Sequence, residues 1–217
     1  MSSLVGGTPP LDPGEVQVWV VPATGGARVA ARLAASLSAD ERERASRMRD
    51  PDAFVIGRAG VRAILARFTS VPAGTLEIVA GRGSRPRLVQ GPEWLDFSFS
   101  RCDEVHVCAL TIRRRIGIDL QIESPAATVR TPKDALTKAV GAALAPPPDT
   151  IETLGDPGNA EAAADERGGR YGRLRLPGPL DRDDWHVATF VPVAGVTGAV
   201  VAEGNWMMTL ATWSGGS

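Results

Sequence analysis

Hydrophobic and polar residues alternate along this chain with two different periods, which together predict an α+β (α/β) fold. Apolar residues at every second position predict strands, and apolar residues three or four positions apart predict helices. The predicted strands are Gln17–Val21, Leu76–Ala80, Leu95–Phe99, Val105–Ile112, Arg115–Ile122, Arg170–Leu176, Trp185–Val191, Gly198–Ala202 and Asn205–Thr212. The predicted helices are Val29–Leu37, Asp52–Phe68 and Thr131–Leu144, and Ser38 is predicted to cap a further helix that begins Ala39-Asp40-Glu41.

The predicted helices and strands form two similar sets along the chain, which predicts two lobes arranged as a pseudo-dimer. We expect a loose N-terminal arm at 1–14, an N-terminal lobe at 15–94 and a C-terminal lobe at 95–212. Prolines and glycines concentrated at 145–169 predict a flexible excursion within the second lobe.

Two local patterns predict where the central polar residues lie. The strands at 105–112 and 115–122 are expected to form an antiparallel hairpin, with Arg113–Arg115 at its exposed tip. The sequence Thr-Pro-Lys-Asp at 131–134 is expected to open the next helix, with Thr131 as the cap of a capping box.

Composition narrows the class of protein. The 217 residues carry a net charge of −1, so nothing in the total charge favours nucleic acid. The apolar stretch 187–202 is interrupted by proline and glycine and is too short to predict a membrane span. Cys102 and Cys108 lack the paired spacing of zinc sites or disulfide frameworks, which favours reduced thiols and a cytoplasmic location. His106 and His186 accompany no nucleophile motif and are interpreted as structural.

Acidic and amide side chains around residue 120 are the first candidates for chemistry. Asp119 and Gln121 lie two positions apart on one predicted strand, so their side chains share a face. Together they could form a magnesium site with few protein ligands. The alternative is a strand end where polar residues resume at the surface. Asp134 could complete the metal site while Lys133 and Lys138 face a phosphate, or Asp134 and Lys138 could simply form a helical ion pair.

Basic residues supply candidates for anion binding. Arg101, next to Ser100 at a strand end, could grip a phosphate through two parallel hydrogen bonds, and Arg85 could do so from a turn. Each could equally be an exposed arginine. The same alternative holds for four arginines on the helix after Ser38, which are Arg42, Arg44, Arg47 and Arg49.

Taken in order, several motifs resemble the surfactin-type 4′-phosphopantetheinyl transferase family, in a diverged and shortened form. They are LSADERERASRM, GRAGVRAILARF, GSRP, DFSFSR, IGIDLQ, TPKDALTKAVG and WHVATFVP with GAVVA, between about Leu37 and Ala202. The resemblance implies a two-lobed fold that binds coenzyme A between its lobes. It also implies magnesium-dependent transfer of phosphopantetheine to a serine of an acyl or peptidyl carrier protein.

The resemblance also implies roles for particular residues. Asp119, Gln121 and Asp134 would hold the metal, and Asp134 and Lys138 would act in catalysis. Coenzyme A would be bound by Arg44, Arg85, Ser100, Arg101 and Lys133.

The chain also departs from the family pattern. Gln121 stands in place of an acid, Arg101 in place of a histidine and Arg130 in place of a tryptophan, while Asp134 is shorter than the usual glutamate. Only 15 positions separate Asp119 from Asp134, where the family has a longer segment. Two alternatives therefore stay open: an enzyme repurposed for tailoring or cyclisation in a biosynthetic pathway, and a non-catalytic protein that binds coenzyme A or a carrier. Neither a nucleic acid nor a membrane is expected as a partner.

Overall fold

The structure is a computed structural model, and it describes residues 11–79, 84–141, 144–154, 170–177 and 184–215. The first ten residues of the predicted arm, residues 155–169 of the predicted excursion and residues 81–83 of the turn predicted at 81–86 lie outside these ranges. The helices are α1 (Gly26–Leu33), α2 (Ala39–Ala45), α3 (Pro51–Thr69) and α4 (Pro125–Val140). The strands are β1 (Glu15–Pro22), β2 (Ile78–Val79), β3 (Arg87–Leu88), β4 (Leu95–Cys102), β5 (Val105–Ile112), β6 (Ile116–Ile122), β7 (Glu152–Leu154), β8 (Arg170–Arg175), β9 (Trp185–Val193), β10 (Val196–Glu203) and β11 (Met207–Thr212).

Two sheets form the centre of the protein, the first mixed and the second wholly antiparallel. One sheet has the order β11-β1-β5-β4, the other has the order β6-β10-β9-β8-β7, and β2 pairs with β3 separately. β1 is parallel to β11 and antiparallel to β5, so the two ends of the described chain meet in the first sheet. The predicted α+β fold class is confirmed.

Three apolar cores order these layers. Residues of α3 pack on the outer face of the first sheet, including Ile64 and Leu65. Alternate residues of both sheets, including Val107 and Ile118, form a second core between them. Ala135 and Leu136 of α4 pack on the outer face of the second sheet. Because an apolar side chain buried in this way contributes roughly 1.5–3 kcal/mol, these cores hold the helices against the sheets.

Strands on both sides of residue 95 share the first sheet, because β4 and β5 join β1. The pseudo-dimer and the division into an N-terminal and a C-terminal lobe stay predictions. Among the described ranges, no helix combines the length and apolar character needed to cross a membrane.

The helix that carries Asp134 begins earlier than predicted. Ser124 caps it, accepting a hydrogen bond from the backbone N–H of Ala127 at 3.1 Å, and Pro125 follows at the first helical position. Thr131 is therefore wrong as the cap, since it is buried within the helix and its hydroxyl donates to the carbonyl of Ala127 at 2.7 Å. Pro132 lies inside α4, where tertiary packing outweighs its tendency to end a helix.

The predicted hairpin around Arg113–Arg115 is also wrong. β6 leaves β5 and instead pairs antiparallel with β10, so residues 113–115 connect the two sheets. Arg114 donates to the carbonyls of Pro13 and Glu203, and Arg115 pairs with the Glu203 carboxylate. Of the three arginines only Arg113 is exposed, because its neighbours hold the crossover in place.

The start of the predicted excursion has regular structure. A 3-10 turn at Pro148–Thr150 leads into β7, which pairs with β8 at the edge of the second sheet. Ser38 does cap α2, as predicted, and shares a reciprocal capping box with Glu41.

Candidate functional site

Asp119 and Gln121 leave β6 on the face that meets α4, as the two-residue period of a strand predicts. Ile116, Ile118 and Leu120 point the other way, into the core between the sheets. The Asp119 side chain is only 13% exposed, so its carboxylate depends on nearby polar partners.

Gly117 is the third residue on that face, and it lets α4 lie directly on β6. A Cβ at position 117 would be 2.5 Å from the backbone nitrogen of Ala139 and still closer to the carbonyl oxygen of Ala135. Real Cβ atoms essentially never approach other atoms so closely, so only glycine allows this contact. The close approach brings Asp134 and Lys138, which lie one turn apart on α4, to the side chains of β6.

Lys138 neutralises Asp119 beneath this contact. Its ammonium donates to Asp119 Oδ1 at 2.6 Å, to Ser100 Oγ at 3.0 Å and to the carbonyl of Ile118 at 3.0 Å. Ser100 Oγ in turn donates to Asp119 Oδ1 at 3.0 Å. Since an ammonium has three protons, Lys138 is saturated by these acceptors.

Gln121 joins the two acids. Its amide nitrogen Nε2 donates to Asp134 Oδ2 at 2.7 Å and, more weakly, to Asp119 Oδ2 at 3.4 Å. Arg130 Nε also lies 3.4 Å from Asp134 Oδ2, although its side chain is 72% exposed. Asp119 in the middle of β6 and Asp134 on α4 therefore converge on the amide nitrogen of Gln121.

A cavity of about 600 Å³ opens beside Asp119 and Lys138. Arg44 and Arg101 both lie over the Phe54 ring, with their guanidinium carbons 5.9 and 5.7 Å from its centroid. Neither arginine forms an ion pair with a residue in the described ranges, so both are available to an anion. The other lining residues are Ser38, Asp40, Glu41, Arg58, Ile78, Phe99, Ser100 and His106.

A buried ion cluster supports one wall of the cavity. Glu41 accepts from Arg58 Nε at 2.5 Å and from Arg62 at 2.9 Å, and Arg62 also donates to the carbonyls of Ala73 and Leu76. Burial alone raises the pKa of Glu41, but the Arg58 charge, the Ser38 backbone N–H and Arg62 hold this pKa below its usual value. Arg58 is thus fixed as an ion partner while it lies over the Phe99 ring at 4.3 Å.

His106 of β5 also lines this cavity, and its imidazole lies against Gly57 of α3. A Cβ on Gly57 would overlap the imidazole, so this glycine makes the space for it. Burial and, to a lesser degree, the charges of Arg101 and Arg58 lower the pKa of His106 to about 4. The imidazole is therefore neutral near pH 7, and its Nε2 has no hydrogen-bond partner among the described residues.

The structure brings together most of the residues that the sequence singles out, but two of them lie apart. Five of the predicted site residues line the cavity: Arg44, Ser100, Arg101, Asp119 and Lys138. Gln121 and Asp134 adjoin it through the contacts described above.

Arg85 and Lys133 are the two outlying residues. Arg85 pairs with Asp96, four residues before Ser100 on β4, and does not line the cavity. The ammonium of Lys133 makes no hydrogen bond or ion pair within the part of the chain that the structure describes.

The sequence does not single out Phe54 or Arg58, and it predicts a structural role for His106. Phe54 is one of many apolar residues in the helix predicted at 52–68, and Arg58 differs from its neighbours in that helix only by its charge. His106 gave no face preference, because β5 is buried on both sides.

The donor set fits a magnesium ion. Magnesium takes oxygen ligands and commonly needs only one or two carboxylates together with substrate phosphates. Asp119 and Asp134 supply two carboxylates at one point, and Gln121 has an amide oxygen as well as the nitrogen that now faces them. No group of three or more His, Cys, Asp or Glu side chains suited to a metal occurs in the described ranges, so the protein's own ligands are few.

A larger hollow of about 1030 Å³ lies at the crossover between the sheets, lined by residues that include Trp94, Arg114 and Glu203. Its lining is mainly apolar, and Arg114 and Glu203 already hold the crossover together. The smaller cavity is the better candidate because acids, cations and a hydroxyl converge there.

No family model matches this chain. Over 118 residues the chain is 31% identical to the 4'-phosphopantetheinyl transferase HetI of Nostoc sp., a stretch that covers 51% of this chain and 49% of that protein. The chain thus spans about half the length of the curated relative it matches. This similarity confirms the resemblance to a diverged phosphopantetheinyl transferase-like family and agrees with the α+β fold.

Proposed function

We propose that the protein transfers 4′-phosphopantetheine from coenzyme A to a serine of an acyl or peptidyl carrier protein, with magnesium as cofactor. The observation that supports this most is the convergence of Asp119 and Asp134, from β6 and α4, on the single amide nitrogen of Gln121. Two acids joined at one point beside a cationic cavity suit a phosphoryl transfer in which a metal and fixed charges stabilise a pyrophosphate.

The cations around the cavity provide the binding site for the phosphates. Arg44 and Arg101 are held by Phe54 yet form no ion pair with a described residue, so their guanidinium groups can donate to phosphate oxygens. Lys138 also lines the cavity and adds a positive charge, which Asp119 and Ser100 hold in place.

The proposed reaction moves one phosphoryl group. The serine oxygen forms a bond to the phosphorus that bears the pantetheine arm, and the bond from this phosphorus to the bridging oxygen breaks. Adenosine 3′,5′-bisphosphate leaves with the bridging oxygen, and Asp134 takes the proton from the serine hydroxyl. Lys138 stabilises charge that develops on the pyrophosphate. Magnesium held by Asp119 and Asp134 would neutralise part of that charge.

Intact-protein mass spectrometry tests this proposal directly. The chain is incubated with coenzyme A, Mg²⁺ and a panel of apo carrier proteins, and we expect one carrier to gain the mass of one phosphopantetheine arm. Asp119→Asn and Asp134→Asn should each lower the rate by about 100-fold or more. The matched control Asp149→Asn changes an exposed acid on the 3-10 turn and should leave the rate unaltered. No gain of mass on any carrier, with correctly folded protein, would refute transfer.

The second candidate function is binding of coenzyme A without catalysis, which is favoured by the positive side chains that pair with the two acids. Lys138 already neutralises Asp119 and Arg130 lies beside Asp134, which suits a protein that binds coenzyme A without turnover. Isothermal titration calorimetry that shows coenzyme A binding, lost in Arg101→Ala, together with no labelled carrier would support this alternative.

A further inference from the structure

Gln121 contacts both acids with the same atom, and this determines what else the acids can bind. Ionised carboxylates only accept hydrogen bonds, so the nitrogen side of the Gln121 amide must face Asp119 and Asp134. Its oxygen therefore faces away from them. A half-turn of the amide would bring this oxygen against two negative groups, which is favourable only with a cation between them.

The surrounding charges add to this effect. Asp119 is paired with Lys138 at 2.6 Å, and Asp134 has Arg130 at 3.4 Å. Two negative and two positive side chains leave little net attraction for a divalent cation. Metal affinity depends strongly on the number of charged ligands, so a neutralised pair of acids binds a cation weakly.

We propose that Gln121 is a specificity-determining residue that keeps the metal site closed in the free protein, so that a divalent cation binds only together with a pyrophosphate-bearing ligand. This inference rests on the proposed function, which supplies the cation and its anionic partner. In the free protein the amide donors occupy the carboxylates. When the ligand is bound, its phosphates supply the missing negative charge and oxygen ligands, and the amide turns its oxygen toward the cation.

The consequence is a reciprocal coupling between the two ligands. If coenzyme A raises the affinity for the cation, the cation raises the affinity for coenzyme A by the same factor. The inference also predicts the effect of substituting Gln121. In the absence of coenzyme A, removing the amide at position 121 should strengthen cation binding, because in the free protein the amide occupies the carboxylates and does not face the metal.

Electron paramagnetic resonance with Mn²⁺, used as the probe, measures cation binding without any turnover. Wild type, Gln121→Ala and Gln121→Glu are titrated in the absence of coenzyme A. We expect affinity to rise in that order, with Gln121→Glu binding at least about 10-fold more tightly than wild type because it adds a third carboxylate. Asp119→Asn combined with Gln121→Glu should remove the gain, which would locate the ion.

Gln90 offers a matched control. It is exposed, and its amide donates at 3.1 Å to a single carboxylate, that of Glu77, away from the cavity. Gln90→Glu adds the same charge as Gln121→Glu, so it should leave Mn²⁺ affinity unchanged. Thermal melting of each variant verifies that it is folded.

Two results would overturn the inference. The first is that, without coenzyme A, wild type binds Mn²⁺ as tightly as Gln121→Glu does. The second is that Gln121→Ala binds Mn²⁺ more weakly than wild type, which would make the amide a ligand of the ion. A second titration of wild type with coenzyme A present should increase Mn²⁺ affinity about 10-fold or more. If coenzyme A itself does not bind, the proposed function fails, whereas the order of the three proteins without coenzyme A still decides the role of Gln121.

Discussion

The contact between α4 and β6 at Gly117 can be tested with one methyl group. In Gly117→Ala the new Cβ would lie 2.5 Å from the nitrogen of Ala139 and still closer to the oxygen of Ala135. Gly117 is not among the glycines with a left-handed backbone, so alanine fits the local conformation. The effect of the substitution is therefore steric.

The expected magnitude follows from what the methyl group meets. Both obstacles are backbone atoms that cannot rotate away, so α4 has to move from β6 by roughly 1 Å or more, at a cost near the upper end of about 1–3 kcal/mol. In a chain of this size, a loss of about 3 kcal/mol lowers the melting temperature by about 6–12 °C. The same movement should break the hydrogen bonds from Lys138 to Asp119 and from Gln121 to Asp134, now 2.6 and 2.7 Å long.

Thermal unfolding by circular dichroism measures the first effect, and coenzyme A binding by calorimetry measures the second. Gly74→Ala is the matched control, because its Cβ would meet only ordinary contacts at 3.6 and 3.8 Å, and it should change stability by less than about 1 kcal/mol. If Gly117→Ala melts together with wild type and Gly74→Ala, the close approach of α4 is wrong and the site has no structural basis.

Three further predictions concern the cavity wall. Gly57→Ala should destabilise the fold by about 1–3 kcal/mol, and His106→Ala in the same chain should recover part of this, because the three atoms nearest to the new methyl group all belong to the imidazole. A double-mutant cycle without coupling between the two substitutions would contradict this prediction. The pKa of His106 is about 4 in the folded protein and ordinarily 6.5, so between these pH values the unfolded chain binds a proton that the folded protein does not. The free energy of unfolding should therefore fall by up to about 3 kcal/mol as the pH drops from 6.5 to 4. Urea titrations of His106→Leu should show a smaller dependence of this free energy on pH. Glu41→Gln should lower the free energy of unfolding by about 3 kcal/mol, because it leaves buried Arg62 without its counter-ion. The exposed control Glu43→Gln should lower it by less than about 0.5 kcal/mol. Equal effects of the two substitutions in urea unfolding would show that the ion cluster contributes nothing to stability.

Most of the fold could be predicted wherever a single local rule acts. The alternation in β6 placed Asp119 and Gln121 on one face, and the cap at Ser38 followed from its own side chain and the acids after it. These features depend on neighbours within a few residues, so the sequence carries them directly.

The start of α4 shows where a strong motif misleads. The sequence Thr-Pro-Lys-Asp at 131–134 matches the opening of a helix, but Ser124 and Pro125 supply the same signals seven residues earlier. Burial of Ala127 and Thr131 against the second sheet then favours continuing the helix through Pro132. Only the packing partner decides between the two starts, and it is distant in sequence.

The crossover at Arg113–Arg115 was beyond local rules for a similar reason. Two strands separated by three residues favour a hairpin, and nothing nearby indicates that β6 belongs to another sheet. Arg114 finds the carbonyls of Pro13 and Glu203, about 100 and 90 positions away, and these contacts fix the crossover.

The candidate site is also a structural joint, which explains why its residues would be retained even without a reaction. Asp119 is buried and needs the charge of Lys138, while Lys138 also holds the Ile118 carbonyl and so ties α4 to β6. Stability of the free protein therefore cannot distinguish a catalytic from a structural role for these two residues. Gln121 can distinguish them, because its exchange for glutamate leaves the ion pair between Lys138 and Asp119 in place. The exchange replaces the amide that donates to the two acids by a third carboxylate that a cation can bind. A Gln121→Glu protein that melts like wild type but binds Mn²⁺ more tightly would separate the site's capacity for a metal from its part in holding the fold.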